Sequence, residues 1–238
     1  MSEGPEPPLP PAAEPAGAPA NDPEPMDVKL WDLPVRLVHW GFALLLPAMW
    51  ATAEFGQMPV HRVLGYVALG LLLFRLYWGV AGSSTARFAS FVRGPGAVIR
   101  YLRAGVPVVG HNPLGALSVI ALLGLLGLQI GLGLFAQDSD GLFAGPLAAL
   151  VGYETSDAAT EWHETVFNIL LGFVVLHIAA VLFYLVVRRD NLVRPMVTGR
   201  KRMAVSELPE MGSLARALIG VAGSGTITLW IAAGAPLP

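Results

Sequence analysis

The chain contains no cysteine among its 238 residues. This absence excludes disulfide bonds, cysteine-ligated iron–sulfur clusters, thiolate zinc sites and a haem attached through a C-x-x-C-H motif. Charged residues are also scarce, at 13% of the chain, whereas soluble domains usually carry about 25%. The net charge of -2 lacks the basic surplus of nucleic-acid-binding domains. With 54% hydrophobic residues, the composition indicates a membrane protein.

The N-terminal segment differs sharply from the rest of the chain. Residues 1–27 hold nine prolines and no aromatic residue. Such a segment cannot bury enough apolar surface to offset its ordering entropy, so we expect a disordered tail. The tail also lacks the basic start and apolar run of a secretory signal, so we expect it to stay in the cytoplasm.

Long apolar runs fill most of the remaining sequence. Leu114–Ala136 and Thr165–Val187 contain no Asp, Glu, Lys or Arg, and Leu37–Ala53 and Val63–Val80 are shorter runs of the same kind. About 20 apolar residues cross a bilayer as a helix. We therefore predict an all-α integral membrane protein, a four-helix transmembrane bundle with a fifth C-terminal span. The predicted domain is 28–202, with spans at about 35–54, 61–80, 112–136 and 162–187, followed by a linker and fifth helix (about 214–235) in 203–238.

Basic residues are distributed unevenly between the predicted loops. Arginines lie between spans two and three and follow span four, whereas the connection between spans three and four has five acidic residues and no basic ones. Because short basic loops stay in the cytoplasm, this pattern places the N-terminus inside. The sequence thus predicts a multi-pass protein of the bacterial inner membrane.

Four of the five histidines, His39, His61, His163 and His177, lie in or at the ends of predicted spans. A single such residue could simply bond to a backbone carbonyl, but intramembrane ionisable groups are rare and usually functional. His163 and His177 lie 14 residues apart, which places them on one helix face about 21 Å apart. His39 is then level with His177 near the inner surface, and His61 is level with His163 near the outer surface.

Two imidazoles that face each other across a helical bundle can bind a haem iron from both sides. A bare zinc or copper ion would need a third or fourth ligand, and residues 166–176 offer only Asn168 as a polar group. The apolar surroundings favour a porphyrin. Because the chain has no cysteine, that haem would be held non-covalently, as b-type haem is.

Three further residues are candidates for haem contacts. Gly65 lies one turn after His61 and would let a porphyrin approach the backbone, although ordinary helix packing explains it equally well. Arg75 and Arg36 could pair with haem propionates. The alternatives are that Arg75 extends to the lipid headgroups and that Arg36 is a positive anchor at the inner surface.

Several short motifs in order resemble the bacterial cytochrome b561 family, in the branch that includes the b-type cytochrome subunit of nickel–iron hydrogenases. The resemblance covers about residues 29–202 and excludes the tail and the fifth span. The motifs are WDLPVRLVHW (31–40), HRVLGY (61–66), FRLYWG (74–79), RFASFVRGP (87–95), GHNPLG (110–115) and NLVRPMVTGRKR (191–202).

The resemblance implies a four-helix core with two b haems bound by His39, His61, His163 and His177. It also implies electron relay between the quinone pool and a partner, either a periplasmic cytochrome or a hydrogenase or dehydrogenase subunit. One alternative is a haem-bearing anchor subunit of such a complex. Another is a metal or proton transporter that uses the histidines as relays, which would normally have carboxylates inside its spans.

Two loop features complete the expectations. His111 is expected to be a loop histidine at the Asn112–Pro113 turn, with quinone binding as the alternative. The outer connection Gln137–Glu161 is expected to dock a basic periplasmic partner, with Phe143, Leu147, Leu150 and Tyr153 as apolar anchors.

Overall fold

The computed structural model describes residues 24–92, 94–104, 110–138, 140, 142–205 and 207–236, so most of the predicted tail lies outside the described residues. In chain order the elements are strand β1 (Met26–Lys29), helices α1 (Leu33–Glu54), α2 (Met58–Ala81), α3 (Phe88–Phe91), α4 (Pro95–Ala104), α5 (Pro113–Phe135), α6 (Tyr153–Val186) and α7 (Val193–Thr198), strand β2 (Arg200–Met203) and helix α8 (Leu214–Ala232).

Within the described residues, α1, α2, α5, α6 and α8 are long and apolar enough to cross a membrane. The prediction of an all-α membrane protein with four core spans and a fifth helix is confirmed. The two strands are short and form one small sheet outside the spans.

The helix starts differ from the predicted spans in informative ways. Helix α6 begins at Tyr153 rather than near residue 162, and α2 begins at Met58 rather than at His61. A helix of 34 residues is about 51 Å long, whereas the hydrocarbon core is about 30 Å thick. A hydropathy pattern marks only the part of such a helix that lies in lipid. The polar first turns of α6 therefore resemble a loop in the sequence.

Polar residues that accept backbone hydrogen bonds fix the first turns of three spanning helices. Asp32 accepts from Val35 N at 2.8 Å at the start of α1, and Asn112 accepts from Gly115 N at 2.7 Å at the start of α5. Ser213 does the same for Arg216 N in α8. These side chains satisfy backbone donors that a helix start leaves unpaired, so each helix has a defined first residue.

Helix α2 lies at the centre of the bundle, because it packs against α1, α5 and α8. Its buried side chains include Leu69, Leu72 and Trp78, and Trp78 is 1% exposed. Helix α6 packs along α5. The apolar faces of the outer helices are exposed, as expected for surfaces that meet lipid.

The two ends of the bundle differ in charge. One end, called the basic end below, carries β1, α4, α7 and β2, with Arg100, Arg103 and Arg188 among its exposed residues. There β1 pairs antiparallel with β2, and Met26 is opposite Met203. Met26 and Asp27 therefore belong to a strand and not to the predicted tail, because the strand after α7 offers them a pairing edge. The other end, called the acidic end, carries the α5–α6 connection.

Candidate functional site

The structure brings the four intramembrane histidines together as two pairs. His39 of α1 faces His177 of α6 near the basic end, with ring centres 6.3 Å apart. His61 of α2 faces His163 of α6 near the acidic end, also with ring centres 6.3 Å apart. Each pair therefore joins α6 to a different helix, and the two pairs lie at two depths of the bundle.

Both imidazoles of the His61–His163 pair are held by backbone carbonyls. His61 Nδ1 lies 2.9 Å from Met49 O and 3.3 Å from Thr52 Oγ1, and His163 Nδ1 lies 2.9 Å from Gln129 O. A carbonyl can only accept a hydrogen bond, so Nδ1 donates in both residues. This fixes the tautomer and leaves Nε2 unprotonated, which is the form that binds a metal.

The His39–His177 pair is held much less firmly. His177 Nδ1 lies 3.4 Å from Ser118 Oγ of α5, a long contact. His39 Nδ1 is buried and has no hydrogen-bond partner among the described residues. The ring of Trp40 lies 5.1 Å from that of His39.

Helix α5 contributes no histidine, yet it shapes the site. A Cβ at Gly133 would lie 2.9 Å from His163 Cε1, so only glycine leaves room for this imidazole. Through that opening His163 reaches the Gln129 carbonyl, while the Gln129 amide lies 3.1 Å from His163 Nε2. Gln129 Oε1 is buried and has no hydrogen-bond partner among the residues that the structure describes.

The geometry fits a haem better than a bare metal ion. Two imidazoles that bind one metal from opposite sides, each through a bond of about 2 Å, place their ring centres about 6 Å apart, and both pairs are at this separation. Among the described residues no three His, Cys, Asp or Glu side chains are grouped to hold a metal ion. Paired ligands in apolar surroundings, with no third protein ligand, suit a porphyrin-bound iron.

The two candidate arginines have different surroundings. Arg75 is buried and its guanidinium lies over the Phe88 ring at 5.0 Å and 3.4 Å from Ala86 O. The buried Asp32 carboxylate, which also accepts from Trp78 Nε1 at 2.8 Å, is near enough to interact with Arg75 electrostatically. Arg75 therefore does not extend to the headgroups. Asp32 is a nearby counter-charge, and a contact of Arg75 with a propionate stays a prediction.

Arg36 remains the stronger candidate for a propionate contact. Its Nη2 donates to Val197 O, and its Nε is buried with no hydrogen-bond partner in the described part of the chain. Gly199, whose φ of +80° suits glycine, lies beside this guanidinium, and a Cβ there would lie 3.0 Å from Arg36 Nη1. An unpaired buried guanidinium nitrogen one turn from His39 is the donor that a carboxylate of the cofactor would satisfy.

Gly65 and His111 lie in very different surroundings. A Cβ at Gly65 would meet only Met49 Cε at 3.8 Å, an ordinary contact, so the approach of a porphyrin at this position stays a prediction. His111 lies in the loop before α5, and its ring is packed between Trp31 and Phe91, with centres 4.6 Å and 4.5 Å away. Burial, and secondarily the charge of Arg75, lowers the pKa of His111 to about 4.

His111 also lines a cavity of about 480 Å³ at the basic end. Thr85 and Phe91 contribute to its wall, and Arg87 and Glu210 form an ion pair at 2.9 Å beside it. The sequence predicts neither this cavity nor the roles of Gln129, Gly133 and Asp32. A polar residue inside an apolar run was the available signal for Gln129, whereas Gly133 is one of 27 glycines and gives no signal in sequence alone.

Comparisons with known proteins identify similar chains. Three relatives share the name "Probable Ni/Fe-hydrogenase B-type cytochrome subunit". The protein from Azotobacter chroococcum mcd 1 is 25% identical over 72% of this chain and 87% of its own length. The one from Cupriavidus necator H16 is 27% identical over 71% and 85%, and the one from Azotobacter vinelandii is 26% identical over 72% and 87%. No solved structure matches the chain.

Residues 30–199 match the prokaryotic cytochrome b561 family, a family of b-type cytochromes. The matched range contains all four paired histidines and α1 to α7, while α8 lies beyond it. The resemblance found in the sequence motifs is confirmed. Haem b is the cofactor that this membership implies, and electron transport is the corresponding class of activity. The chain, a multi-pass membrane protein, belongs to the prokaryotic cytochrome b561 family.

Proposed function

We propose that this protein is a dihaem b-type cytochrome that relays electrons across the inner membrane between the quinone pool and a partner redox protein. The observation that supports two haems is the presence of two histidine pairs with the same 6.3 Å separation of ring centres. His39 and His177 would hold one haem, and His61 and His163 the other. When bound, haem supplies reversible one-electron chemistry that no side chain of this chain can supply.

The protein residues position and insulate these two centres. His163 and His177 lie 14 residues apart on α6, or about 21 Å along the helix axis, so one rigid helix fixes the spacing of both sites. Leu170, 1% exposed, lies between them on the same helix and keeps water away. Arg36 would pair with a propionate at the basic end through its Nε, which no other described residue contacts by a hydrogen bond.

The orientation belongs to the same proposal. With the basic end in the cytoplasm, as the distribution of arginines favours, the His39–His177 pair is the inner site and the His61–His163 pair is the outer one. The partner would then meet the acidic end from the periplasm. The relatives' names favour a nickel–iron hydrogenase subunit as that partner, which is also the basis of the second candidate function, a haem-bearing membrane anchor of such a complex.

The cavity beside His111 supports the quinone part of the proposal. Phe91 would provide apolar contact for a quinone ring, and the Thr85 hydroxyl and the His111 imidazole would provide hydrogen-bonding groups. The rest of the lining is mostly polar or charged. We expect His111→Phe to lower the rate at which a quinol analogue reduces the haems without changing haem content. An unchanged rate would place the quinone elsewhere.

A haem assay with histidine variants tests the central proposal. The purified protein should give a reduced-minus-oxidised b-type spectrum and two haems per chain in a pyridine haem assay. His163→Ala should lose the haem at the acidic end and His177→Ala the haem at the basic end, each retaining the other. The matched control is His111→Ala, which should retain both. Loss of both haems in one inserted, folded variant would contradict the pairing.

A further inference from the structure

Helix α5 makes different hydrogen-bond contacts with the two histidine pairs, although it provides no histidine to either. Its Gln129 carbonyl accepts a 2.9 Å hydrogen bond from His163, whereas its Ser118 hydroxyl lies 3.4 Å from His177. On the opposite side of each pair, His61 Nδ1 donates to the Met49 carbonyl at 2.9 Å, whereas His39 Nδ1 has no hydrogen-bond partner among the described residues. Both imidazoles of the His61–His163 pair thus donate short hydrogen bonds to backbone carbonyls, and neither imidazole of the His39–His177 pair does.

We infer that this difference sets the two haems to different reduction potentials, with the His61–His163 haem the lower, and that Gly133 and Gln129 are the positioning residues responsible on the α5 side. The inference rests on the proposed dihaem function and deepens it. A histidine that donates its Nδ1–H to a carbonyl becomes a more basic ligand at Nε2. A more basic ligand stabilises oxidised iron more than reduced iron, so the potential falls.

Gly133 is the residue that makes the His163 contact available. A Cβ at this position would lie 2.9 Å from Cε1 and 3.2 Å from Nδ1 of His163, so any side chain would push the imidazole away from the Gln129 carbonyl. Gly131, two residues earlier and therefore on the opposite face of the same helix, has nothing within 4 Å of a Cβ built there. Both residues are glycine, but only at Gly133 does a neighbouring side chain, His163, occupy the space that a Cβ would fill.

The fixed charges act in the same direction as the hydrogen bonds. Arg36 lies near the basic end, where positive charge favours the reduced iron of the His39–His177 haem, whereas the charge of Arg75 is partly offset by Asp32. The first turns of α6 instead expose Glu154, Asp157, Glu161 and Glu164 near the His61–His163 pair, opposed by the exposed Arg62. Exposed charges are screened by solvent, so we assign them a smaller share than the buried hydrogen bonds.

A redox titration of the purified holoprotein tests the order of the potentials. The variants His39→Ala and His61→Ala each leave one pair complete and so assign the two wild-type midpoints. We expect the haem that remains in His39→Ala, the His61–His163 haem, to have the lower midpoint. The reverse order would overturn the inference and leave the proposed function intact, whereas a protein that binds no haem or one haem would contradict the proposed function itself.

The substitution Gly133→Ala isolates the contribution of α5. We expect it to shift the oxidised–reduced equilibrium of the His61–His163 haem about tenfold towards the reduced form, which corresponds to about 59 mV, and to change the low-spin EPR signal of that haem alone. Gly131→Ala should change neither haem. No shift in Gly133→Ala, or equal shifts at both haems, would overturn the role of α5. If Gly133→Ala loses the haem, the order of the wild-type midpoints decides the inference.

Discussion

At the scale of single residues, His111 shows how burial determines the protonation state of a side chain. Its ring is packed between Trp31 and Phe91, its Nδ1 has no hydrogen-bond partner among the described residues, and Arg75 adds a like charge from α2. Charged groups around the adjoining cavity are Arg87, Glu207 and Glu210. A neutral imidazole is the form that these surroundings favour, hence the pKa of about 4.

This residue gives a prediction for the pH dependence of stability. In the unfolded chain His111 has an ordinary pKa near 6.5, so between pH 6.5 and about 4 the unfolded state binds the proton and the folded state does not. Stability is therefore present above pH 6.5 and falls as the pH drops towards 4, by up to about 3 kcal/mol. The melting temperature of His111→Phe should fall less than that of the wild type between pH 7.5 and 5. Parallel falls would show that His111 titrates normally.

The histidine positions show what sequence reasoning can reach at this scale. The 14-residue spacing of His163 and His177 is a property of one helix, so it predicts the two levels without knowledge of packing. Contacts between helices are not encoded in any local pattern. The Gly133 opening for His163 and the Asp32 counter-charge for Arg75 both join residues from different elements, and only the structure reveals them.

At the scale of elements, α8 is an addition beyond the family match that packs tightly on α2. A Cβ at Gly220 would lie 2.5 Å from the ring of Tyr77, so the two helices approach through this glycine. Tyr77 Oη also donates to Arg216 O at 3.1 Å, and Thr228 Oγ1 would lie 3.4 Å from a Cβ at Gly70. Contacts at both ends of α8 indicate that it is part of the folded bundle and not a loose appendage.

We expect Gly220→Val to separate α8 from α2 at a cost of about 1–3 kcal/mol, the usual range for overpacking a close contact. Gly223→Val on the same helix is the matched control, because nothing lies within 4 Å of a Cβ at Gly223. Thermal unfolding in detergent and protease cleavage near residue 210 measure the effect. Equal destabilisation by the two variants would attribute it to helix propensity instead of packing.

The connection between α5 and α6 is shorter in the structure than the sequence predicts. The sequence predicts one outer connection over Gln137–Glu161, but α6 already begins at Tyr153. Phe143, Leu150 and Tyr153 are exposed as expected, whereas Leu147 is buried and is not available as an anchor. The side chain of Leu147 faces the protein because its backbone N–H is tied to Leu134 O at 2.9 Å, at the end of α5.

This acidic surface predicts salt-dependent exchange with a basic partner. Replacing Asp138, Asp140, Glu154 and Asp157 together by their amides should slow electron exchange at low ionic strength by about tenfold or more, because charge steering raises encounter rates by that order. The effect should vanish as the Debye length shrinks to a few ångströms near 1 M salt. Amide replacement of Glu3, Glu6, Glu14 and Asp22 removes the same charge from the tail and should leave the rate unchanged. A rate that is insensitive to salt in the wild type would contradict steering.

At the scale of the whole molecule, the spanning helices are the feature most easily predicted from the sequence. The structure at the two ends of the bundle is the least predictable. Apolar run length is set by bilayer thickness, so five spanning helices follow from composition along the chain. The basic end depends on long-range pairing: Leu30 N donates to Gly199 O at 2.8 Å, and Arg200 pairs with Asp27 at 2.9 Å. Residues so far apart in sequence meet only because α1 starts and α6 ends at the same end of the bundle.

The orientation of the whole molecule can be tested directly because the chain has no cysteine. Single substitutions Asp140→Cys at the acidic end and Glu207→Cys at the basic end place one thiol on an exposed residue at each end. If the basic end is cytoplasmic, a membrane-impermeant maleimide should label Asp140→Cys in intact spheroplasts and Glu207→Cys only after the membrane is permeabilised. The opposite pattern would place the His39–His177 pair at the periplasmic surface and reverse the assignment of inner and outer sites. The haem pairing itself would be unaffected, because it depends on which helices meet and not on which way the bundle is inserted.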